Sequence, residues 1–268
     1  MTIKTLTGLL DKMWVDYINI NPLAKKIRDD LVSEGEEIQN DHIALRTFNH
    51  PRVTIDVIAK PFLDSGYKYM GDYQFPEKKL YAKHFEHADR TLPKIFISEL
   101  KLEEFSDSLR ETINSLLAQI PAGMENQFDF TSIGRPWSVS TKIYHELLKE
   151  SDYAAWVSAF GYRPNHFTVF INVLKKFSDI TFLNTYLKDK GYKLNSSGGE
   201  IKGSRDVCLE QSSTLANNIE VEFSDGKLSI PACYYEFAKR YPMKNGELYQ
   251  GFVAASADKI FESTSRGQ

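Results

Sequence analysis

Two stretches of the chain resemble each other, and this internal repeat constrains the fold more than any other feature of the sequence. Residues 40–46 read Asn-Asp-His-Ile-Ala-Leu-Arg, and residues 164–170 read Pro-Asn-His-Phe-Thr-Val-Phe. Each is a β-rich run with a histidine near its start. A later run with one glutamate recurs at 95–100 and at 233–238. Such a repeat predicts two copies of one structural module.

The first copy shows the order of elements. A helical pattern follows its first β-rich run and ends at Ser65-Gly66, a typical helix stop. The predicted elements are strands at 40–48, 67–75, 80–87 and 94–100 and a helix at 53–64, in the order βαβββ. The second copy is longer, and we expect its extra residues at 195–203 and 212–228.

Helical patterns surround both copies. Apolar residues recur at helical spacing over residues 3–34, with a break at Asn21-Pro22, and again over 102–120 and 142–160. The 268 residues leave room for one large domain or two small ones. We expect a single α+β domain over 1–268, with N-terminal helices (1–38), a first βαβββ module (39–101), a helical connection (102–160) and a second module with the C-terminal segment (161–262).

Charge and composition limit the classes of partner that the protein can bind. The 33 lysines and arginines nearly balance 36 acidic residues, and the net charge of −3 without long runs of one sign argues against a nucleic-acid or anionic-membrane surface. A small polar ligand or a protein partner fits better. Cys208 and Cys233 are too few for a disulfide framework. Lys4 and Asp11 interrupt the N-terminal apolar residues, and no long apolar span follows, so we expect a cytoplasmic protein.

Strand geometry singles out candidate site residues. Side chains two apart on a strand share a face, so His42 and Arg46 point to one side and Ile43 and Leu45 to the other. The apolar pair is expected to face covering helices, which leaves His42 and Arg46 on the concave side. A buried guanidinium there is costly unless an anion meets it.

Four side chains are expected to converge on that side: His42, His166, Glu236 and Glu99. Two imidazoles and one carboxylate form the facial triad of non-haem Fe(II) enzymes, and zinc or manganese would also accept them. If Glu99 joins, the site has four protein ligands, as in glyoxalases. Simpler explanations stay open: a core role for either histidine, an exposed edge strand for Glu236, and an internal pair of Arg46 with Glu99.

Five segments together resemble the 2-oxoadipate dioxygenase/decarboxylase family. They are Asn-Asp-His-Ile-Ala-Leu-Arg-Thr-Phe (40–48), Lys-Ile-Phe-Ile-Ser-Glu-Leu (94–100), Pro-Asn-His-Phe-Thr (164–168), Tyr-Tyr-Glu-Phe-Ala (234–238) and Ser-Ala-Asp-Lys-Ile-Phe (256–261). The resemblance runs from about residue 40 to the C-terminus. By analogy, paired βαβββ modules form the cup-shaped barrel of the vicinal oxygen chelate, or glyoxalase-like, architecture.

The resemblance implies an Fe(II)-dependent enzyme of lysine catabolism, which converts 2-oxoadipate and O₂ to 2-hydroxyglutarate and CO₂. The metal ligands of the family fall on His42, His166 and Glu236. The arginine that binds the substrate carboxylate falls on Arg46. The implied partners are therefore a 2-oxo dicarboxylic acid, O₂ and Fe²⁺.

Two other functions stay open. One is a glyoxalase-type isomerase, lyase or metallohydrolase that uses Zn²⁺ or Ni²⁺ with Glu99 as a fourth ligand. The other is a non-catalytic module that binds a small acid. If Glu99 is not a ligand, we expect it to orient a histidine or to pair with Arg46. Tyr234 and the polar run 211–213 are further candidates for the cup.

Overall fold

The computed structural model describes residues 5–264. The helical stretch predicted from residue 3 therefore starts outside the described residues. Helix α1 (Leu6–Ile20) is capped by Thr5, whose hydroxyl accepts a hydrogen bond from the Gly8 amide. Helix α2 (Pro22–Ser33) starts with a proline. Proline suits the first helical position because it lacks a backbone N–H, and an N–H at this position would have no partner in the helix.

The first module has the predicted order of elements. It consists of β1 (Asn40–Phe48), α3 (Ile55–Leu63), β2 (Lys68–Phe75), β3 (Leu80–Glu86) and β4 (Lys94–Leu100). The chain leaves α3 through Gly66, whose φ of 98° lies in the left-handed region that favours glycine. The βαβββ prediction is confirmed for this half.

Three helices connect the modules: α4 (Asp107–Leu117), α5 (Thr141–Glu150) and α6 (Asp152–Phe160). The helix predicted over 142–160 is divided in two because Ser151 has extended backbone angles. Its hydroxyl accepts a hydrogen bond from the Ala154 amide and so caps α6. All residues of α6 after Asp152 are buried, and the helix therefore belongs to the core.

The second module repeats the order and adds a hairpin. Its elements are β5 (Pro164–Phe170), α7 (Ile180–Asp189), β6 (Lys202–Ser204), β7 (Leu209–Ser213), β8 (Asn218–Phe223), β9 (Gly226–Pro231) and β10 (Tyr234–Arg240), followed by α8 (Ala254–Phe261). Strands β8 and β9 lie between β7 and β10 in the sequence. They pair with each other and form a separate two-stranded sheet. This hairpin contains most of the extra residues predicted at 212–228.

Eight strands form one sheet in the order β2-β3-β4-β1-β5-β10-β7-β6. Strands β1 and β5 lie side by side and antiparallel at its centre, so the two modules share a single sheet. The edges of the sheet are β2 and β6, and α8 packs against both of them. The sheet is thus an open half-barrel whose gap is covered by the last helix. The predicted α+β cup is confirmed.

The outer face of the sheet carries the first helices. Trp14 and Tyr17 of α1 each lie 5.0 Å from the ring of Phe167, which faces away from the cup. The Tyr17 hydroxyl also donates a hydrogen bond of 2.5 Å to the Tyr234 carbonyl oxygen. The structure contains, within residues 5–264, no helix that is both long and apolar enough to cross a membrane.

The strand registers show which residues of the two modules are equivalent. Phe96 lies beside Ala44 in the β1–β4 pair, and Glu236 lies beside Thr168 in the β5–β10 pair. Ala44 and Thr168 each stand two residues after the histidine of their module. Phe96 is therefore the counterpart of Glu236, and the sequence comparison of the two late strands is two residues out of register. Glu99, three residues after Phe96, points to the opposite face.

Candidate metal centre

Three of the predicted ligands meet at the centre of the sheet. His42, His166 and Glu236 are 2%, 4% and 1% exposed and lie on three neighbouring strands, β1, β5 and β10. The two Nε2 atoms are 3.4 Å apart. Glu236 Oε1 is 3.6 Å from His42 Nε2, and Glu236 Oε2 is 3.2 Å from His166 Nε2. Each side chain can turn one ligand atom towards the same point, and these atoms lie within 4.8 Å of one another.

Electrostatics favour a cation at this point. Burial raises the pKa of Glu236 to about 8 and lowers the pKa of both His42 and His166. Neutral imidazoles are the form that binds metal. A divalent cation would stabilise the buried carboxylate as an anion, so the donor set fits a transition metal such as Fe(II).

The residue before each histidine holds its ring in place. Asp41 Oδ2 lies 2.9 Å from His42 Nδ1, and Asn165 Oδ1 lies 3.2 Å from His166 Nδ1. With Nδ1 engaged, Nε2 of each ring faces the metal position, where His42 Nε2 also lies 3.1 Å from Thr168 Oγ1. Strand alternation does not predict this role, although an Asp or Asn precedes both histidines. On an ideal strand residue 41 would point away, but the register of β1 against β5 shifts at this place, which re-aims the side chain.

Two further candidates also contact the ligands. Gln211 Nε2 donates a hydrogen bond of 2.5 Å to Glu236 Oε1, which orients the carboxylate. The Tyr234 ring stacks on His166 at 4.5 Å and 25°. Burial raises the pKa of the Tyr234 hydroxyl well above its usual range, so this group stays protonated.

Arg46 lies in the same concave face and is only 4% exposed. Its guanidinium stands over the rings of Trp156 (4.9 Å), Tyr153 (5.1 Å) and Phe261 (5.8 Å), and Nη2 donates a long hydrogen bond of 3.3 Å to Thr264 Oγ1. Nε has no partner, and within residues 5–264 no carboxylate pairs with this cation. A buried arginine without a counter-ion is costly and marks a place for an anion.

Other buried polar atoms near the three ligands also lack a hydrogen-bond partner among the described residues. They are Glu236 Oε2, Gln211 Oε1 and the Tyr234 hydroxyl. Native proteins rarely leave such atoms unsatisfied, and clusters of them commonly mark places where ions or ligands bind. A cation at the ligands and an anionic group at Arg46 would satisfy this part of the cup.

Glu99 is placed elsewhere. Its Oε2 accepts a hydrogen bond of 2.9 Å from the Ile55 amide at the start of α3, on the outer face of the sheet. The expectation that Glu99 binds the metal, orients a histidine or pairs with Arg46 is therefore wrong. The physical reason is strand parity, because Phe96 occupies the inward position in this strand.

The space beside the ligands is small, about 20 Å³, close to the volume of one water molecule. The segment after β10 covers it, with one wall formed by Phe252, Ala257, Ile260 and Phe261. Three of these four residues belong to α8. The helix that bridges the two sheet edges is thus also the roof of the candidate site.

The chain is similar to known proteins over nearly its whole length. A family model described as 2-oxoadipate dioxygenase/decarboxylase matches residues 4–129 and 125–249. The chloroplastic 2-oxoadipate dioxygenase/decarboxylase of Arabidopsis thaliana is 35% identical, over 97% of this chain and 78% of that protein.

Solved structures show the same relationship. The hydroxyglutarate synthase from Oryza sativa, crystallised with 2-oxoadipate, is 35% identical and superposes with a TM-score of 0.91 over 96% of this chain and 91% of that one. A protein from Shewanella frigidimarina described as a hydrolase is 52% identical, with a TM-score of 0.90 over 95% and 100%. The fold also occurs in a glyoxalase superfamily protein from Ralstonia eutropha.

Proposed function

Because the chain belongs to the 2-oxoadipate dioxygenase/decarboxylase family, we propose that it converts 2-oxoadipate and O₂ into 2-hydroxyglutarate and CO₂ with Fe(II). One observation carries the proposal: a two-histidine, one-carboxylate cluster shares a concave face with Arg46, a buried cation that lacks a carboxylate partner within residues 5–264. The cluster suits a metal that binds a 2-oxo acid, and the arginine suits a second carboxylate of the same molecule.

His42 and His166 would hold the metal through Nε2, and Glu236 would hold it through its carboxylate. When bound, Fe(II) supplies the open coordination positions and the redox chemistry that a 2-oxo acid and O₂ require. Asp41 and Asn165 keep both Nε2 atoms directed at the ion.

Arg46 would bind the distal carboxylate of the acid. A guanidinium can donate two parallel hydrogen bonds to a carboxylate, which fixes both the position and the orientation of the bound molecule. The rings of Tyr153 and Trp156 hold the guanidinium in place. The separation between Arg46 and the metal ligands would therefore select the chain length of the substrate.

Side chains that line the site would have to make room for the substrate. The space beside the ligands is about 20 Å³, less than a dicarboxylic acid occupies, and Phe261 of α8 is one of the side chains that would shift when the acid binds. With the acid bound, the apolar side chains of α8 would exclude water from it. In the same proposal the protein acts in the cytoplasm, in lysine catabolism, with no nucleic-acid or membrane partner.

The proposal is tested by loading the protein with Fe(II) without oxygen, adding 2-oxoadipate, and then admitting O₂. We expect one CO₂ for each 2-hydroxyglutarate, and no product under nitrogen. Product formed without O₂ or without metal would refute the proposal and favour a glyoxalase-type reaction.

A pair of histidine variants provides the matched control. His166→Ala should abolish turnover because it removes a ligand. His145→Ala should leave turnover unchanged, because His145 is exposed on α5 and its Nδ1 lies 2.8 Å from the Thr141 carbonyl of its own helix. Equal activity of both variants would rule out the assigned metal site.

A further inference from the structure

Arg240 ends β10 four residues after Glu236, so both side chains project from the same face of the sheet. It is 1% exposed, and its guanidinium forms two hydrogen bonds with the carboxylate of Asp41. Nε lies 2.6 Å from Oδ1, and Nη2 lies 2.8 Å from Oδ2. The same Oδ2 contacts His42 Nδ1. Arg240 thus fixes the carboxylate that fixes the histidine.

The other nitrogen of the guanidinium holds a different segment. Nη1 donates to the carbonyl oxygens of Tyr249 (3.0 Å) and Gly251 (2.8 Å). The next residue, Phe252, meets the His42 ring edge-to-face, with centroids 4.8 Å apart and an interplanar angle of 89°. Arg240 therefore also binds the segment whose next residue packs against the imidazole.

His166 has no comparable support. Its orienting residue, Asn165, has an Nδ2 atom without a hydrogen-bond partner among residues 5–264. The two histidines therefore differ: the ring of His42 is held on two sides by groups that share one arginine, whereas the ring of His166 is held by a single amide oxygen and by stacking on Tyr234.

We propose that Arg240 is the positioning residue of the metal centre: by binding Asp41 and the 249–251 backbone together, it sets the direction of His42 Nε2. Supporting groups of this kind commonly change metal affinity by about 10–100-fold. The proposal rests on the metal centre of the proposed function, but not on its substrate or on the identity of the metal. It also links the ligand to the segment that leads into α8.

The test is titration of the metal-free full-length protein with Co²⁺, whose visible absorption reports the geometry of its ligands. Arg240→Lys should weaken binding by about 10–100-fold and change the spectrum, because lysine cannot make the paired contact with Asp41. Asp41→Asn should have a similar effect. Adding Arg240→Lys to Asp41→Asn should change the affinity by less than about threefold if Arg240 acts through Asp41.

Arg135→Lys is the matched control. Arg135 also binds two backbone carbonyls, of Ala159 (3.1 Å) and Glu222 (2.8 Å), but it contacts none of the metal-ligand residues. Its replacement should leave the Co²⁺ affinity and spectrum unchanged, even where it lowers the thermal stability. A loss in this variant equal to that of Arg240→Lys would overturn the inference.

Other outcomes separate the two proposals. Wild-type affinity and spectrum in a folded Arg240→Lys protein, or additive losses in the double variant, would overturn the role of Arg240 only. If Arg240→Lys does not fold, Asp41→Glu provides the test, since it keeps the charge and displaces the carboxylate by one methylene. A wild-type Co²⁺ spectrum of Asp41→Glu would also overturn the inference. Failure of the wild-type protein to bind Co²⁺ would instead refute the metal centre.

Discussion

Arg46→Met should stabilise the protein in the absence of metal and substrate, whereas Arg240→Met should destabilise it. Both arginines are buried, at 4% and 1% exposure, but their surroundings differ. Arg240 has a bidentate pair with Asp41 and two carbonyl acceptors. Arg46 donates a long hydrogen bond to Thr264 and stands against three aromatic rings, but no carboxylate among residues 5–264 pairs with it.

The magnitudes follow from these contacts. Replacing a poorly compensated buried charge by an apolar side chain of similar size stabilises proteins by about 1–4 kcal/mol, and the lost ring contacts of Arg46 reduce this to about 1–2 kcal/mol. Removing Arg240 takes the bidentate partner from the buried Asp41, which keeps only Lys94 Nζ at 4.0 Å and His42 Nδ1 at 2.9 Å, and should cost about 3 kcal/mol. The two variants should therefore differ by at least about 4 kcal/mol, with opposite signs.

Urea unfolding, followed by tryptophan fluorescence and circular dichroism, measures both changes. For a protein of this size each kcal/mol corresponds to about 2–4 °C in Tm, so thermal scans give an independent check. Arg46→Met should also bind 2-oxoadipate weaker by at least about 30-fold, since a charged hydrogen-bonded partner worth about 2 kcal/mol or more is lost. A loss of stability in Arg46→Met as large as that in Arg240→Met would refute the idea that Arg46 is an unpaired cation that binds an anionic ligand.

Three smaller perturbations address other parts of the cup. Glu99→Ala should leave Co²⁺ affinity unchanged and lower the free energy of unfolding by about 1 kcal/mol, measured in urea, because the Ile55 amide loses its acceptor. Phe261→Ala should cost about 3 kcal/mol of stability but speed the binding of 2-oxoadipate in stopped-flow fluorescence, because it opens the roof; slower binding would contradict this role. Ser213→Cys with Ser263→Cys, whose hydroxyl oxygens are 2.9 Å apart, should on oxidation tie the end of the roof to β7 and slow binding until a reductant is added, with the wild-type protein as the control.

The sequence predicts the strands of the first module to within a residue because alternation and turn residues are local signals. It also predicts His42 and His166, since the repeat places them at equivalent positions. Glu99 fails for an equally clear reason. Glu99 stands three residues after Phe96, the counterpart of Glu236, and with a side-chain period of two such an odd offset places it on the other face of the sheet.

Arg240 and Phe252 were not predicted because their contacts are made across the fold. Arg240 meets Asp41 over 199 residues of sequence, and no local pattern indicates such a pair. The orienting role of Asp41 depends on an irregularity of the β1–β5 register, which becomes visible only when the two strands are paired. Local sequence patterns thus predict the metal ligands, whereas the residues that hold those ligands in place are set by tertiary packing.

The central pairing of β1 with β5 also has a consequence for folding. His42 and His166 are 124 residues apart and belong to different modules, so neither half of the chain holds a complete ligand set. Contacts this distant in sequence close slowly, after local structure has formed. A metal ion that binds only the paired modules adds its binding free energy to that pairing. Metal depletion would therefore destabilise the β1–β5 pairing of the two modules and also remove the catalytic activity.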